Sequence, residues 1–166
     1  AIFALLSLGV RVFVLSAEHD TEAVRRCQAS FPNVVHVMQV EHVVGSMVAK
    51  LLARRQFAGV IVGGGSPCQG NADLNCNRLG LGDARSWQPL HAIRVASEIR
   101  ELPEARGLFC RAWLENVGSA PQAVITEYSQ LLQCKPLMLR AGQWGWVDRN
   151  RLVWLEGLCA FPQALL

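Results

Sequence analysis

Charged residues, tyrosine and long apolar runs are all scarce in this sequence. Only 17% of its 166 residues are charged and one is tyrosine, whereas 51% are hydrophobic, a balance that excludes a disordered chain. The apolar opening, residues 1–8, is far shorter than the roughly 20 residues that a membrane helix needs, so no membrane segment is predicted. Length and composition instead predict one packed domain that spans residues 1–166.

Metal-binding and disulfide patterns are also missing. The six cysteines form no CxxC pair and no Cys/His cluster at zinc spacing. This predicts reduced thiols, no metal site and an intracellular protein. Gly63, Gly64 and Gly65 lack the third spaced glycine of a dinucleotide fingerprint, so no nicotinamide cofactor is expected. The net charge of +3 is compatible with nucleic acid without requiring it.

Helical and strand-like patterns alternate along the chain. A helix over residues 1–8, closed by Gly9, precedes a β-branched strand at 10–15, and Asp20 has the position and chemistry of a helix N-cap. Further helices are predicted at residues 23–30, 43–55, 87–101 and 122–132, and further strands at 34–40, 60–62, 109–114, 135–140 and 151–155. This alternation predicts an α/β fold with a mostly parallel, doubly wound sheet, whose ligands bind where the strands end.

Three polar groups lie at or near predicted strand ends. Cys68 lies on a glycine-rich turn with Pro67 fixing the backbone before it, so its thiol is expected to face a cleft. Glu115 follows a strand and belongs on the same edge of the sheet. Arg149 and Arg151 are one residue apart and share a face in extended backbone. Taken singly, these features are more typical of a buried thiol, a solvated loop carboxylate and a solvated strand edge.

Taken together, Gly-Ser-Pro-Cys-Gln, Glu-Asn-Val and Arg-Asn-Arg-Leu resemble, in order and separation, the fourth, sixth and eighth motifs of the cytosine-5 DNA methyltransferases. Residues 8–20 resemble the second motif, and residues 33–37 the approach to the third. The animal de novo enzymes carry a similar stretch, which this chain matches at Pro67, Cys68, Asn75, Arg78, Gly80 and Leu81. The resemblance implies a Rossmann-like S-adenosylmethionine-dependent methyltransferase fold, with part of its doubly wound sheet, and DNA as the partner.

The resemblance also implies a role for each catalytic candidate. Cys68 would add to carbon 6 of a cytosine rotated out of the duplex, and carbon 5 would then take the methyl group. Glu115 would bind and protonate nitrogen 3 of the base. Arg151 and Arg149 would hydrogen-bond the base carbonyl, and Asn116 would position the glutamate. The implied activity is DNA cytosine-5 methylation with S-adenosylmethionine as the donor.

Cofactor contacts follow from the same resemblance. Glu18 would accept hydrogen bonds from the ribose, and His19 would lie beside it for the adenine face, although Glu18 is nearly as typical of an acid near the start of a helix. Gln39 stands where the family has an adenine-binding Asp, so an amide replaces a carboxylate there. Pro67 would line the pocket. The family's first motif, Phe-x-Gly-x-Gly, has no counterpart in this chain, and that motif makes most of the methionine end of the pocket.

DNA contacts are expected from the loop at residues 70–85, which would close over the flipped base. Gln69, Arg78 and Arg85 are the candidate contacts, although both arginines are equally typical of solvated loop residues. Val147 stands where the eighth motif usually has Gln, and no target-recognition region follows. The chain begins without Met and ends in apolar residues, which predicts a domain cut at both ends.

Two other functions stay open. One is a catalytically inactive remnant that binds nucleic acid or a partner through the same cleft, which the missing first motif favours. The other is methylation of cytosine in transfer RNA. That sister group resembles Pro-Cys-Gln-Pro-Phe-Thr, whereas Gly70-Asn71-Ala72 follows Gln69 here. The loop therefore favours DNA over transfer RNA.

Overall fold

The computed structural model describes residues 2–37, 39–54, 56–65, 71–72, 79–140, 142 and 149–157. They form two compact units, Ala1–Val43 and Val44–Leu166. No helix among these residues has the length and apolarity of a membrane-spanning segment. The single domain predicted for residues 1–166 stays a prediction. The elements are α1 (Ile2–Ser7), β1 (Leu15–Ala17), α2 (Thr21–Ser30), β2 (Val35–Val37), α3 (Gly45–Leu52), β3 (Gly59–Gly65), α4 (Gln88–Glu101), β4 (Phe109–Val117), α5 (Gln122–Leu131), β5 (Leu137–Arg140) and β6 (Asn150–Leu155).

In the first unit, α1 is closed by Gly9, as predicted. Gly9 has φ +73°, and the N–H groups of Gly9 and Val10 donate to carbonyl oxygens of the last turn of α1 at 2.9 and 3.0 Å, a Schellman ending. The strand predicted at residues 10–15 is wrong in its position, because Val10 is still bonded to the helix and β1 begins only at Leu15.

The rest of the first unit is a short parallel sheet and a capped helix. β1 and β2 pair in parallel. Asp20 caps α2 as predicted, since its side chain accepts from the N–H groups of Glu22 and Ala23 at 2.9 and 3.0 Å. The strand predicted at 34–40 is shorter than expected, and Val40–His42 forms a 3-10 turn instead.

The second unit is built on a four-stranded sheet in the order β3-β4-β6-β5. β3 and β4 pair in parallel, whereas β6 pairs antiparallel with both β4 and β5. The predicted α/β class is confirmed, and the parallel order holds for the β1–β2 and β3–β4 pairs. The antiparallel pairs have a simple cause: residues 141–149 are fewer than the dozen or so residues that a parallel crossover needs.

The side chains of β4 alternate between a packed face of this sheet and a more open one. It buries every second residue, at Cys110, Ala112, Leu114 and Asn116. Because successive side chains of a strand point to opposite faces, Glu115 lies on the open face. The packed face joins a core that includes residues of α4, α5 and β6.

The tryptophans were predicted as core or edge aromatics rather than base-stacking platforms. Trp154 in β6 is fully buried, Trp113 is partly buried and Trp87 is 42% exposed. Trp144 and Trp146 lie outside the described residues. Trp154 is the largest of the fully buried side chains, and its ring packs edge-on against Tyr128 of α5, with 5.4 Å between the ring centroids.

A glutamate on α4 binds the first residue of α3, and we expect this contact to be sensitive to acid. Glu98 accepts from Arg94 at 2.5 Å and from the N–H of Gly45 at 2.7 Å, and these bonds, Arg94 first, hold the pKa of its carboxyl below the ordinary 4.5. The ionised Glu98 therefore stabilises the fold fully when the pH is above its ordinary pKa of 4.5, and this stabilisation is lost as the pH falls through the lowered pKa of the folded state. Because the side chain is 37% exposed, we expect less than about 1 kcal/mol.

We therefore expect Glu98→Gln to destabilise the protein at neutral pH and to match the wild type in strong acid. Urea unfolding at decreasing pH measures the difference between the two free energies of unfolding. Glu101→Gln removes the same charge from the exposed end of α4 and serves as the control. A difference that stays constant through the acid range would show that the Glu98 contacts contribute nothing through ionisation.

Candidate functional site

The parallel pairing of β3 and β4 sets the position of Glu115. Gly65, the last residue of β3, lies opposite Glu115 in the register. A Cβ added to Gly65 would lie 2.6 Å from Oε2 of Glu115, so the carboxylate extends over the end of β3. Cys68 lies outside the described residues, but it is three positions after Gly65. Since a chain extends by no more than about 3.6 Å per residue, the Cα atoms of Gly65 and Cys68 are at most about 11 Å apart.

Glu115 forms an ion pair with Arg151 of β6. Nε of Arg151 lies 2.5 Å from Oε1 of Glu115, and the two side chains are 20% and 29% exposed. The antiparallel register places Val153 opposite Glu115 and Arg151 opposite Val117, so the charged side chains are diagonal neighbours on one face. Nη1 of Arg151 also donates to the carbonyl oxygen of Asn150 at 3.0 Å. The ion pair is largely shielded from water. The attraction between the two charges is therefore stronger than it would be at an exposed surface.

The prediction that Glu115 follows a strand is wrong, because β4 continues through Val117. The glutamate is therefore held by strand pairing on both sides rather than by a loop. Asn116, which was expected to position it, belongs to the packed face and is 1% exposed. Its Oδ1 accepts from the N–H of Val117 at 2.7 Å, and its Nδ2 has no hydrogen-bond partner among the described residues. The role of Asn116 stays a prediction.

The two arginines of the third motif have different environments. Arg151 is in β6 and faces Glu115, whereas Arg149 precedes β6 and is exposed. The structure therefore brings Glu115 together with Arg151. The catalytic role of Arg149 stays a prediction.

Several predicted site residues cannot be placed. Pro67, Cys68, Gln69 and Arg78 lie outside the described residues. Arg85 belongs to the 3-10 turn Ala84–Trp87, and its side chain is not described. Their roles as nucleophile, pocket wall and DNA contacts stay predictions.

The described cysteines are poorly suited to act as the nucleophile. Cys110 is 7% exposed, and burial raises the pKa of its thiol above the ordinary 9.0. A buried neutral thiol is a weak nucleophile. Cys134 is also buried, and Cys27 is half-buried in the first unit. Within the described part of the chain, no group of three or more His, Cys, Asp or Glu side chains is placed to hold a metal ion.

The predicted cofactor residues lie at the carboxyl edge of the first unit's sheet. Ala17 and Val37 pair at the ends of β1 and β2, so Glu18 and Gln39 follow neighbouring parallel strands. Oε1 of Glu18 accepts from the N–H groups of His19 and Asp20, both at 2.9 Å, which fixes a carboxylate that is 38% exposed.

These groups fit the adenosine end of S-adenosylmethionine. A fixed, partly exposed carboxylate can accept hydrogen bonds from a ribose diol. The His19 imidazole, 77% exposed, and the exposed Gln39 amide stand at the same edge and can meet an adenine ring. None of the predicted cofactor residues that the structure describes would bind the methionine end of S-adenosylmethionine.

Gly65 provides a test of the carboxylate's position. We expect Gly65→Ala to displace the Glu115 carboxylate away from β3, because the new methyl group would lie 2.6 Å from Oε2. Stability should change by less than about 1 kcal/mol, since only the end of a flexible side chain must move. Gly64→Ala is the matched control, because a Cβ there meets nothing within 4 Å. Crystal structures of both variants would show the shift, and an unmoved carboxylate in the Gly65 variant would contradict it.

Sequence reasoning missed a buried polar group close to the cysteine motif. Asn71 and Ser86 are both fully buried, and the hydroxyl of Ser86 donates to Oδ1 of Asn71 at 3.3 Å. No pattern signalled them, because both residues stand in a stretch that reads as a polar loop. Their partner on α5, Tyr128, is 42 residues beyond Ser86.

Comparison with solved structures identifies the fold. A prophage-encoded protein of E. coli described as a DNA modification methyltransferase has a TM-score of 0.60 and 22% identity, with 89% of this chain and 40% of that chain covered. The methyltransferase EhMeth of Entamoeba histolytica has a TM-score of 0.60 and 14% identity, with 90% and 46% covered.

At these identities the likeness shows the fold, and the predicted Rossmann-like α/β fold of methyltransferase structures is confirmed. The chain spans less than half the length of either structure. The sequence matches no family model and no curated protein.

Proposed function

We propose that this chain is the part of a DNA cytosine-5 methyltransferase that attacks and protonates the target base, with the de novo enzymes as its nearest type. The observation that carries the proposal is the pairing of Gly65 with Glu115, next to the Glu115–Arg151 ion pair. That register places Gly65, three positions before Cys68, opposite a largely buried carboxylate that pairs with a guanidinium. Both solved structures that share the fold are described as methyltransferases, and one of them as a DNA modification enzyme.

The proposed chemistry begins at the base. The Cys68 thiolate forms a bond to carbon 6, and Glu115 gives a proton to nitrogen 3, so that no negative charge accumulates on the ring. Carbon 5 becomes nucleophilic and takes the methyl group. Its hydrogen then leaves as a proton, the bond between carbon 6 and sulfur breaks, and nitrogen 3 returns its proton to Glu115, so that the thiolate and the acid are both restored.

Arg151 has two tasks in this scheme. In the base-free structure it holds the Glu115 carboxylate at 2.5 Å. When cytosine enters, its guanidinium can donate to the base carbonyl through N–H groups that the carboxylate does not use, because arginine carries five donors in a planar fork. The neighbouring strand fixes the guanidinium, so it needs little reorganisation during the reaction.

S-adenosylmethionine would supply the methyl group, with Glu18, His19 and Gln39 holding its adenosine part. Glu18 is the best supported of these, since two backbone N–H groups already fix its carboxylate. Gln39 can donate and accept at the adenine edge, whereas a carboxylate can only accept. We further propose that the protein acts inside the cell, where its DNA substrate lies.

Trapping on modified DNA tests the proposal. A duplex with 5-fluorocytosine blocks the final step, because fluorine at carbon 5 cannot leave as a proton, so the covalent adduct accumulates. With S-adenosylmethionine present, we expect an adduct whose modified peptide contains Cys68, identified by mass spectrometry after digestion. An RNA of the same sequence is the control for the alternative substrate. Failure to form any adduct, or an adduct on another cysteine, would contradict the proposed mechanism.

A further inference from the structure

We infer that Asn71, Ser86 and Tyr128 are positioning residues that fix the chain at Asn71, three positions after the proposed nucleophile Cys68. This inference rests on the proposed function, since it assigns these residues to the nucleophile of that reaction. Its direct evidence is a buried chain of hydrogen bonds. The hydroxyl of Tyr128 donates to the carbonyl oxygen of Ser86, and the hydroxyl of Ser86 donates to Oδ1 of Asn71 at 3.3 Å.

All three residues are fully buried. Asn71, Ser86 and Tyr128 each have 0% of their surface exposed. Asparagine and serine are mostly exposed in proteins, so their burial here needs an explanation beyond packing. Hydrogen bonds out of contact with water are stronger, and a buried polar group left without its partner is costly. Oδ1 of Asn71 is therefore held by Ser86, whereas its buried Nδ2 has no hydrogen-bond partner among the described residues.

The hydrogen bond between Ser86 and Asn71 matters because Asn71 is close to Cys68 in the sequence. Cys68 is three residues after Gly65 and three residues before Asn71. Gly65 is fixed by its pairing with Glu115 in the sheet, and Asn71 is fixed by Ser86. A stretch of three residues spans at most about 11 Å between the Cα atoms at its ends. The two anchors, Gly65 and Asn71, therefore lie on either side of the proposed nucleophile in the sequence.

The partner of Asn71 is itself held firmly. The N–H of Ser86 donates to the carbonyl oxygen of Asp83 at 2.9 Å, and the indole of Trp87 donates to the carbonyl oxygen of Leu81 at 2.8 Å. Gly80 has φ +54°, and its Cα faces Pro121 and Val124 so closely that an added Cβ would contact both. Residues 79–87 are thus folded against the start of α5, so Ser86 is a rigid support.

The geometry also separates this anchor from the general stability of the core. Ser129, one residue after Tyr128, accepts from the indole of Trp154 at 2.9 Å and donates to the carbonyl oxygen of Ile125 at 2.6 Å. These bonds are also in the core of the second unit, but none of them reaches residues 71–86. Ser129→Ala therefore removes partly buried hydrogen bonds of α5 without releasing Asn71.

The test compares Asn71→Ala and Tyr128→Phe with Ser129→Ala in the full chain. Hydrogen exchange of the peptide that contains residues 66–72 is the first readout, and it needs no catalysis. We expect exchange at least about tenfold faster in the first two variants and within about twofold of wild type in Ser129→Ala. Unchanged exchange in Asn71→Ala and Tyr128→Phe would overturn the inference. Equal acceleration in all three would also overturn it, because the effect would then be general.

Trapping with 5-fluorocytosine DNA is the second readout. We expect the rate of adduct formation to fall about tenfold to a hundredfold in Asn71→Ala and Tyr128→Phe, while the Kd for DNA stays within about twofold. A purely structural role would lower the amount of active protein without changing the rate of each molecule. If the wild type forms no adduct but the exchange pattern holds, the proposed function fails and the anchoring of Asn71 by Ser86 and Tyr128 stands.

Discussion

Replacing Glu115 by Gln is expected to lower the rate of methyl transfer by about 10²–10⁴-fold, the usual contribution of a positioned general acid. The amide keeps the size of the side chain and an oxygen that can accept from Arg151, but it has no proton to give to nitrogen 3. Its placement should change little, because β4 is paired with β3 and β6 on either side. The measurement is tritium transfer from labelled S-adenosylmethionine to DNA under single-turnover conditions.

Stability and binding must be measured separately to interpret that result. The Glu115–Arg151 contact is charge-assisted and only 20–29% exposed, so replacing the carboxylate by an amide, which leaves the guanidinium without its counter-charge, should cost about 1–3 kcal/mol of unfolding free energy. Glu104→Gln is the matched control, because Glu104 is exposed in the turn Pro103–Ala105 of the same unit. A Glu115 variant that methylates at the wild-type rate would remove this residue from the proposed mechanism.

Replacing Trp154 by Ala is expected to cost about 3–5 kcal/mol of unfolding free energy, the range for removing a large aromatic side chain from a core. Trp154 is fully buried in the centre of the sheet, contacts Tyr128 edge-on and donates to Ser129 at 2.9 Å. Alanine would leave a cavity and would remove the hydrogen bond that the Ser129 hydroxyl accepts. Since small domains are stable by only about 5–15 kcal/mol, this loss is large enough to unfold much of the protein.

Trp87→Ala provides the comparison for that prediction. Trp87 is 42% exposed and makes one hydrogen bond to the carbonyl oxygen of Leu81. We expect it to cost no more than about 1.5 kcal/mol, near the value of a single hydrogen bond. Equilibrium unfolding in urea, followed by far-ultraviolet circular dichroism, gives both values. Equal losses would show that the core around Trp154 relaxes to fill the cavity.

Local sequence signals predicted the elements well where the cause was itself local. Gly9 closes α1 and Asp20 caps α2, because a positive φ and an acceptor for free N–H groups depend on one residue and its neighbours. The strand at residues 10–15 failed for a related reason. β-branched residues favour extended backbone, but only pairing with β2 makes a strand, and that pairing begins close to Leu15.

The candidate site shows the same division. Order and spacing were enough to single out Glu115 and Arg151, because the chemistry of the resemblance depends on residue types along the chain. Their contact was not predictable in detail. It depends on β6 inserting antiparallel between β4 and β5, which places Arg151 diagonally across from Glu115. Likewise, no sequence pattern joins Asn71 to Tyr128, since they are 57 positions apart and meet through Ser86.

By itself, the amino-acid sequence determined the α/β class, the caps of the first helices and the residue types that the proposed chemistry needs. These depend on hydrophobic periodicity and on functional groups, both of which are properties of short stretches. Only the tertiary structure decided that Glu115 is held inside a strand, that Arg151 neutralises it and that Asn71 is buried. Those outcomes require strands and helices distant in sequence to pack together, and the energies that select one packing belong to pairs of residues rather than to single positions.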